Sequence, residues 1–161
     1  SSQATTFASL SQALTFFNQD YALTTPQNQW YEYLNIIDAF KLGGYHTRAI
    51  SNQEPVSLFG NAAATILKRA DESVFVNDSD SFDLAKHDEA ILQVLYTIPP
   101  PPLPHFTALH LMGSHNRYES RYPKEFAYFK ADSVQGTFNG ADTSQIAAYL
   151  NSLLYNDFIL S

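Results

Sequence analysis

Cysteine is absent from the sequence, which excludes disulfide bonds and thiolate metal sites within the chain. No stretch approaches the roughly 18 consecutive apolar residues that a membrane-spanning helix needs, and no charged-then-apolar signal opens the chain. Basic residues are also scarce, because 9 Lys and Arg face 16 Asp and Glu to give a net charge of −7. Without a basic cluster that could neutralise phosphates, the sequence predicts a protein that does not bind nucleic acid.

The composition is that of a folded globular domain. The 161 residues are 45% hydrophobic and 16% charged, and a chain of this length can bury a real core. The 10 Tyr and 12 Phe predict that some polar-tipped rings line a surface or a cleft. The chain starts with SSQATTF and ends with YNDFILS, and neither end has the form of a natural terminus. We therefore expect an excised piece of a longer protein.

Helical and strand patterns alternate along the chain, which predicts an α/β fold with a mostly parallel sheet flanked by helices. A helix is expected over residues 7–17, where apolar side chains recur with helical spacing, followed by a loop over 18–29. The pattern WYEYLNIIDAF predicts a second helix that ends at Gly43 and Gly44, directly before a strand over 45–51. The remaining segments give helices over 61–71, 81–98 and 142–160, strands over 73–77 and 105–113, and a polyproline connector over 99–104.

The two longest predicted helices begin with candidate N-caps. Helix 81–98 has Ser81 or Asp83 in that position, and helix 142–160 has Asp142 or Thr143. The strand over 105–113 is almost continuously apolar, as expected of a parallel strand that is covered on both faces. The face of the last helix that is expected to meet the core carries Ile146, Tyr149, Leu150, Leu153, Leu154 and Asp157.

The segment MGSHNRY lies where the strongest predicted strand ends. Ligands of open α/β sheets collect at the carboxyl ends of the strands, and Gly113 would allow a close backbone approach there. His115 would lie just past the strand end, where an imidazole can act as metal ligand, acid or base, or phosphate donor near neutral pH. A loop histidine with a structural hydrogen bond fits the same position. Position alone leaves both interpretations open.

Two other groups of residues are candidates for chemistry. His105, His110 and His115 recur every five residues, but an odd spacing places successive members on opposite faces of a strand. This excludes convergence of the three on one metal ion. Thr5 and Thr6 stand just before the first predicted helix, where a hydroxyl can cap the helix or lie in a site favourable to phosphate. Capping is the commoner of the two roles.

The stretch LHLMGSHNRYESRYPKEF, residues 109–126, joins an apolar strand to a Gly-Ser-His turn and then to Arg-Tyr-Pro. It resembles the strand-and-loop motif of bacterial phosphoethanolamine transferases, which are membrane-anchored members of the alkaline phosphatase and sulfatase superfamily. SSQATTFASLSQALTFFN resembles their nucleophile segment, particularly that of the cysteine-less subgroup that modifies the lipopolysaccharide core. Two further segments of the family are similar to LGGYHTRAISNQ and YLNSLLYNDFIL, so the resemblance spans essentially the whole chain.

This resemblance implies that residues 1–161 are the central part of a sulfatase-like catalytic domain, truncated at both ends. In the family, a zinc-activated threonine attacks the phosphorus of phosphatidylethanolamine, and the phosphoethanolamine then passes to a lipopolysaccharide core or lipid A phosphate. By this resemblance Thr6 corresponds to the nucleophile. An alignment shifted by one residue would give Thr5 instead. His115 would contact the transferred phosphate or a second zinc ion. Asn52 and Gln53 would line the phosphate pocket.

The same resemblance implies a periplasmic domain of a bacterial inner-membrane protein, anchored through an N-terminal transmembrane region outside this chain. The family's primary zinc ligands come from a Gly-Glu-Ser/Thr motif and a Ser-Asp-His-Gly-Glu motif, and neither occurs here. The one adjacent His and Asp pair, His87 and Asp88, stands in the opposite order and on a predicted helix. We therefore expect the chain alone to bind no tight zinc and to be inactive, the enzyme being the longer parent.

Two positions depart from the family pattern. The family's Tyr-Asp-Asn is Tyr149-Leu150-Asn151 here, so any role of its Asp is lost or passes to Asp157. The Gly-Pro that follows the motif histidine is Asn116-Arg117, which again suits the core-modifying subgroup.

Two alternative functions stay open. A sulfatase or phosphoglycerol transferase of the same superfamily is opposed by the Arg-Tyr-Pro after the histidine and by the lack of a Cys/Ser-x-Pro-x-Arg motif. A non-catalytic binding domain that kept the fold and lost the metal site would also lack the zinc motifs. A Gly-Glu-Ser/Thr before Ser1 and an Asp-His after Ser161 in the parent gene would favour the enzyme.

Overall fold

The computed structural model of the protein describes residues 6–17, 29–55, 62–77, 86–134, 136, 140 and 142–161, with Thr6 and Phe7 described by their backbone alone. The described helices are α1 (Thr6–Leu14), α2 (Ile36–Leu42), α3 (Ala62–Leu67), α4 (Glu89–Thr97) and α5 (Thr143–Leu160). The described strands are β1 (His46–Ser51), β2 (Glu72–Phe75) and β3 (His105–His110).

These strands form a three-stranded sheet in the order β2-β1-β3. Both neighbours run parallel to β1, with Arg48 opposite Glu72 on one side and Ser51 opposite His110 on the other. Parallel pairing of this kind needs crossover connections, and helices α3 and α4 lie in the two connections. The predicted α/β fold with a parallel sheet flanked by helices is therefore confirmed.

Five of the six residues of the central strand β1 are buried, although four of its six side chains are polar. Thr47 donates its amide and its hydroxyl to Asp71 Oδ2, each over 2.8 Å, and Arg48 donates its Nε to Glu72 Oε2 over 2.7 Å. A buried polar group is tolerated when it is hydrogen-bonded, and these partners come from the start of the adjacent strand. The apolar member Ala49 packs with Ala63 and Leu67 of α3 in the core.

The second helix is shorter than the sequence pattern predicts. Residues Trp30–Glu32 form a separate 3₁₀ turn, and α2 begins only after Asn35. Asn35 caps α2, because its Oδ1 accepts from the amides of Ile37 and Asp38 over 2.8 and 3.1 Å. Such a side chain satisfies amides that have no partner within the helix, so a new helix begins at this point. The predicted stop is confirmed, with Gly44 in the left-handed region at φ +82°.

Helix α4 also begins later than predicted, at Glu89 rather than near residue 81. The candidate caps Ser81 and Asp83 lie outside the described residues. Lys86 is not helical. Its amide donates to Asn77 Oδ1 and its Nζ donates to the Val76 carbonyl, so both groups bind the segment that follows β2.

In α5 the predicted cap is confirmed, since Asp142 Oδ1 accepts from the Ser144 amide over 2.9 Å. The predicted core face is wrong, because Tyr149 and Leu153 are 40% and 39% exposed. The opposite face is buried, where small side chains allow close packing and Asn151 pairs with both backbone groups of Phe129. Its buried residues are Ala147, Ala148, Asn151, Ser152, Tyr155 and Ile159.

Strand β3 is an edge strand among the described residues, and Leu109 is 40% exposed. The expectation that this apolar strand is covered on both faces is therefore wrong for the described part of the chain. None of the helices described is both long enough and apolar enough to cross a membrane.

Candidate active site at the strand exits

The carboxyl ends of β1 and β3 lie side by side and bring two loops together. Ser51 pairs with His110 at the end of the ladder, and the Asn52 amide donates to the His110 carbonyl over 2.9 Å. Residues 52–53 and the strand-exit loop, which we define as residues 111–117, therefore leave the sheet as neighbours. The sequence places Asn52, Gln53 and His115 in these two loops, and the fold brings them to one edge.

Asn52 is fully buried, and its side chain joins three segments of the chain. Its Nδ2 donates to Asp88 Oδ1 over 2.8 Å and to the Lys86 carbonyl over 2.9 Å. Its Oδ1 accepts from Asn77 Nδ2 over 2.9 Å. Because its amide nitrogen and its amide oxygen are both hydrogen-bonded, the Asn52 side chain is part of the buried structure below the two loops.

Asp88 is 3% exposed and precedes the first residue of α4. An aspartate in this position usually caps its own helix, but the Asp88 side chain makes no capping bond. Its Oδ1 instead accepts from the Met112 amide and its Oδ2 from the Gly113 amide, each over 2.8 Å. Together with the bond from Asn52, these contacts give the buried carboxylate three donors.

The turn that follows is tight. Gly113 lies in the left-handed region at φ +55°, and the His115 amide donates to the Met112 carbonyl over 3.3 Å. His115 itself is exposed. Next to it, Ser114 Oγ is buried without a hydrogen-bond partner among the described residues, as is Asn156 Oδ1.

Arg121 holds the far end of the strand-exit loop. Its guanidinium donates from Nε and Nη2 to the Asn116 carbonyl over 3.2 and 2.8 Å. Burial lowers the pKa of Arg121, and the nearby negative charge of Asp88 opposes that effect. Directly after Asn116, Arg117 adopts the left-handed region at φ +63°.

His110 and Ser51 form a pair beneath the loops, with Ser51 Oγ 3.0 Å from His110 Nδ1. Burial lowers the pKa of His110, and Asp88 opposes this shift through its charge. A serine hydroxyl can donate to a bare ring nitrogen or accept from a ring N–H, so this contact suits either tautomer of the ring. The burial of the ring is therefore what favours the neutral imidazole.

Of the site residues that the sequence predicts, the structure describes some in full and others in part or not at all. Thr5 lies outside the described residues, and Thr6 is the first residue of α1, with its side chain outside them. Gln53 is half-buried, and its Nε2 lies 3.8 Å from Met112 Sδ. Sequence reasoning missed the roles of Asp88 and Arg121, because their partners lie in other segments of the chain.

The described residues do not offer a zinc site. No three His, Asp or Glu side chains within the described ranges lie close enough together to hold a metal ion. His105 and His110 stand at opposite ends of β3.

Comparison with known proteins matches the whole chain, residues 1–161, to the family model described as Sulfatase. The chain is 27% identical over 158 residues to phosphoethanolamine transferase EptC of Escherichia coli K12, with 94% of this chain and 26% of that protein covered. It is 28% identical over 156 residues to phosphoethanolamine transferase CptA of Salmonella typhimurium, with 92% and 24% covered. The chain therefore spans about a quarter of the length of these relatives.

The fold is also similar to a solved structure. The crystal structure of the C-terminal periplasmic domain of EcEptC from Escherichia coli, in complex with Zn, superposes with a TM-score of 0.74 at 25% identity. The match covers 94% of this chain and 42% of that domain.

Proposed function

This chain belongs to the sulfatase family, and from that premise we propose that it forms part of the catalytic domain of a phosphoethanolamine transferase. The observation that supports this most is the likeness to EptC over 94% of the chain, in sequence and in fold. The chain covers 42% of the solved EptC domain, which supports the view that residues 1–161 are the central part of a longer domain.

The proposed reaction has two displacement steps. The Thr6 hydroxyl attacks the phosphorus of phosphatidylethanolamine, the bond from phosphorus to the diacylglycerol oxygen breaks, and that oxygen takes up a proton. An oxygen of a lipopolysaccharide core or lipid A phosphate then attacks the same phosphorus and displaces Thr6. Thr5 is the alternative nucleophile. The first step needs a group that activates the threonine, because a hydroxyl is a weak nucleophile at its ordinary pKa. In the second step the acceptor oxygen is the nucleophile, and the departing threonine oxygen takes up a proton.

The zinc that the resemblance implies would supply this activation. Among the described residues, no three His, Asp or Glu side chains form a ligand set for it. The Zn complex of the similar EptC domain supports a role for zinc in the parent protein.

His115 is proposed to donate a hydrogen bond to a phosphoryl oxygen of the transferred group. It is exposed, and it follows a turn that is fixed at the carboxyl edge of the sheet. Gln53 is proposed to line the same pocket with its amide. Asn52 is proposed to support the pocket from its buried position, because its side chain is hydrogen-bonded to Asp88, Lys86 and Asn77.

A periplasmic location at the inner membrane fits this function, since the similar EptC structure is that of a C-terminal periplasmic domain. The donor and the acceptor would both be presented at membrane surfaces. The anchoring segment would lie outside this chain.

Transfer by the full-length protein tests the proposal. The protein is incubated with headgroup-labelled phosphatidylethanolamine and with lipopolysaccharide or lipid A, and label in the acceptor is measured. We expect transfer, with a strong loss in His115→Ala. His105→Ala is the matched control, because His105 is exposed at the opposite end of β3. Cleavage of sulfate esters without transfer would favour the sulfatase alternative, and neither reaction would favour a binding domain.

A further inference from the structure

The N-terminus of α4 contains an aspartate that does not cap its own helix. Asp88 makes no side-chain bond to α4, and the Glu89 amide instead lies 3.4 Å from Tyr155 Oη. Burying a carboxylate is costly unless several donors surround it. The Asp88 carboxylate is buried all the same, and it is directed at the exit of β3, 24 and 25 residues further along the chain.

Two of its three donors are consecutive amides. The bonds from Met112 and Gly113 end on the two oxygens of one carboxylate, each over 2.8 Å. A carboxylate held by adjacent amides fixes the peptide between them, and therefore the left-handed conformation of Gly113 at φ +55°. That conformation sets the direction in which the chain continues to His115.

The opposite end of the loop is held separately. Arg121 is 8% exposed and binds the Asn116 carbonyl through two of its nitrogens. His115 is thus the exposed residue between two buried, charged anchors that also attract each other, since Asp88 is among the charges that act on Arg121. A backbone held in this way loses little entropy when the side chain that it carries binds a phosphoryl group.

We propose that Asp88 is the positioning residue for His115: its buried carboxylate fixes the amides of Met112 and Gly113 and so sets where the strand-exit loop presents the imidazole. Asp88 does not touch the substrate and acts through the backbone. The kinetic part of this inference rests on the proposed function, whereas the structural part does not.

Asp88→Asn is the direct variant. The amide keeps the size of the side chain but turns one acceptor oxygen into a donor, which then opposes at least one of the three bound N–H groups. Asp142→Asn makes the same chemical change at an exposed helix cap, where Asn caps as well as Asp. Asp142→Asn is therefore the matched control.

Hydrogen exchange measured by mass spectrometry on the full-length protein is the readout that does not need activity. In the wild type, a peptide over 109–117 should show protected amides at Met112 and Gly113, although both follow the end of β3. Asp88→Asn should accelerate their exchange roughly tenfold or more, and Asp142→Asn should not. Unprotected amides in the wild type, or unchanged exchange in Asp88→Asn, would overturn the inference. The wild-type measurement tests whether the two amides are protected even when the variant does not fold.

A double-mutant cycle on transfer kinetics separates positioning from general stabilisation. Asp88→Asn should lower kcat by up to about 100-fold, with a smaller change in KM for the donor, because misplacing a catalytic group mainly affects the transition state. In a His115→Ala background the same change should cost no more than about twofold, because there is no imidazole left to misplace. An equal loss in both backgrounds would refute positioning. If the wild type shows no transfer, the proposed function fails and the exchange measurement alone decides the role of Asp88.

Discussion

The carboxylate of Asp88 accepts a hydrogen bond from the Gly113 amide over 2.8 Å, and this contact joins the start of α4 to the exit of β3. The two residues are 25 positions apart, so the conformation of the strand-exit loop depends on a contact that the loop sequence does not contain. Asn52 reaches the same carboxylate from the exit of β1. The carboxyl edge of the sheet is thus held by one buried polar network.

The first prediction concerns Asn52. We expect Asn52→Ala to lower the free energy of unfolding by about 2–4 kcal/mol, because the Lys86 carbonyl loses its bond from the Asn52 side chain, and Asp88 and Asn77 each lose one of their buried hydrogen bonds. Urea unfolding measures the change. Asn116→Ala, at an exposed loop position, should stay within about 0.5 kcal/mol of wild type. Equal effects of the two variants would contradict the buried network.

The second prediction concerns the cap of α2. Asn35→Ala should cost about 1 kcal/mol, since the amides of Ile37 and Asp38 lose their acceptor. Asn35→Ser retains a capping oxygen and should recover most of this loss. Thermal unfolding of the three proteins tests this order, and a serine variant no more stable than the alanine variant would disprove it.

The third prediction is a pH dependence that stems from His110. Burial lowers its pKa in the folded state below the ordinary value of 6.5. Below pH 6.5 the unfolded chain therefore binds a proton first, and the free energy of unfolding falls as the pH falls towards the folded-state pKa. The slope cannot exceed about 1.4 kcal/mol per pH unit for one group.

Urea unfolding between pH 7 and about pH 5 measures this slope, and His110→Gln should flatten it. Asp71, Glu72 and Asp142 also have lowered pKa values, through hydrogen bonds to their carboxylates. Their stabilisation is present above their ordinary pKa values and is lost at lower pH, so it does not overlap with the His110 window. The same slope in wild type and His110→Gln would contradict the assignment.

The fourth prediction concerns zinc. We expect the 161-residue chain to contain no stoichiometric tight zinc after extensive dialysis, because it lacks both family zinc motifs. The longer parent protein should retain zinc under the same conditions. Elemental analysis of the two proteins is sufficient, and tight one-to-one zinc in the 161-residue chain would refute the expectation.

The sequence predicted the order of helices and strands because most of these elements depend on local patterns. The Gly43-Gly44 stop and the Asp142 cap follow from rules that act over a few residues, and the parallel pairing follows from the alternation of helices and strands. The predicted start of α2 was wrong because the local apolar pattern continues across the true boundary. Asn35 lies inside a helical apolar pattern, and its capping role shows only when its side chain is seen to bind Ile37 and Asp38.

The buried face of α5 and the role of Asp88 could not be predicted locally. Apolar periodicity pointed to the side with Leu153, but the buried side carries Asn151, whose amide pairs with the backbone of Phe129. Asp88 falls inside a helix that the sequence pattern predicts, and the amides that it binds belong to another element. Polar groups that satisfy one another over 20 residues or more leave no periodic pattern in the sequence.

The most direct test of the central claim is to locate the covalent intermediate. Full-length protein is mixed with phosphatidylethanolamine without acceptor and quenched in acid, and its peptides are analysed by mass spectrometry. We predict one phosphoethanolamine group on Thr6, absent in Thr6→Ala and retained in Thr5→Ala. The opposite pattern would move the role to Thr5. Transfer that proceeds with no adduct on either threonine would contradict the claim that this helix start holds the nucleophile.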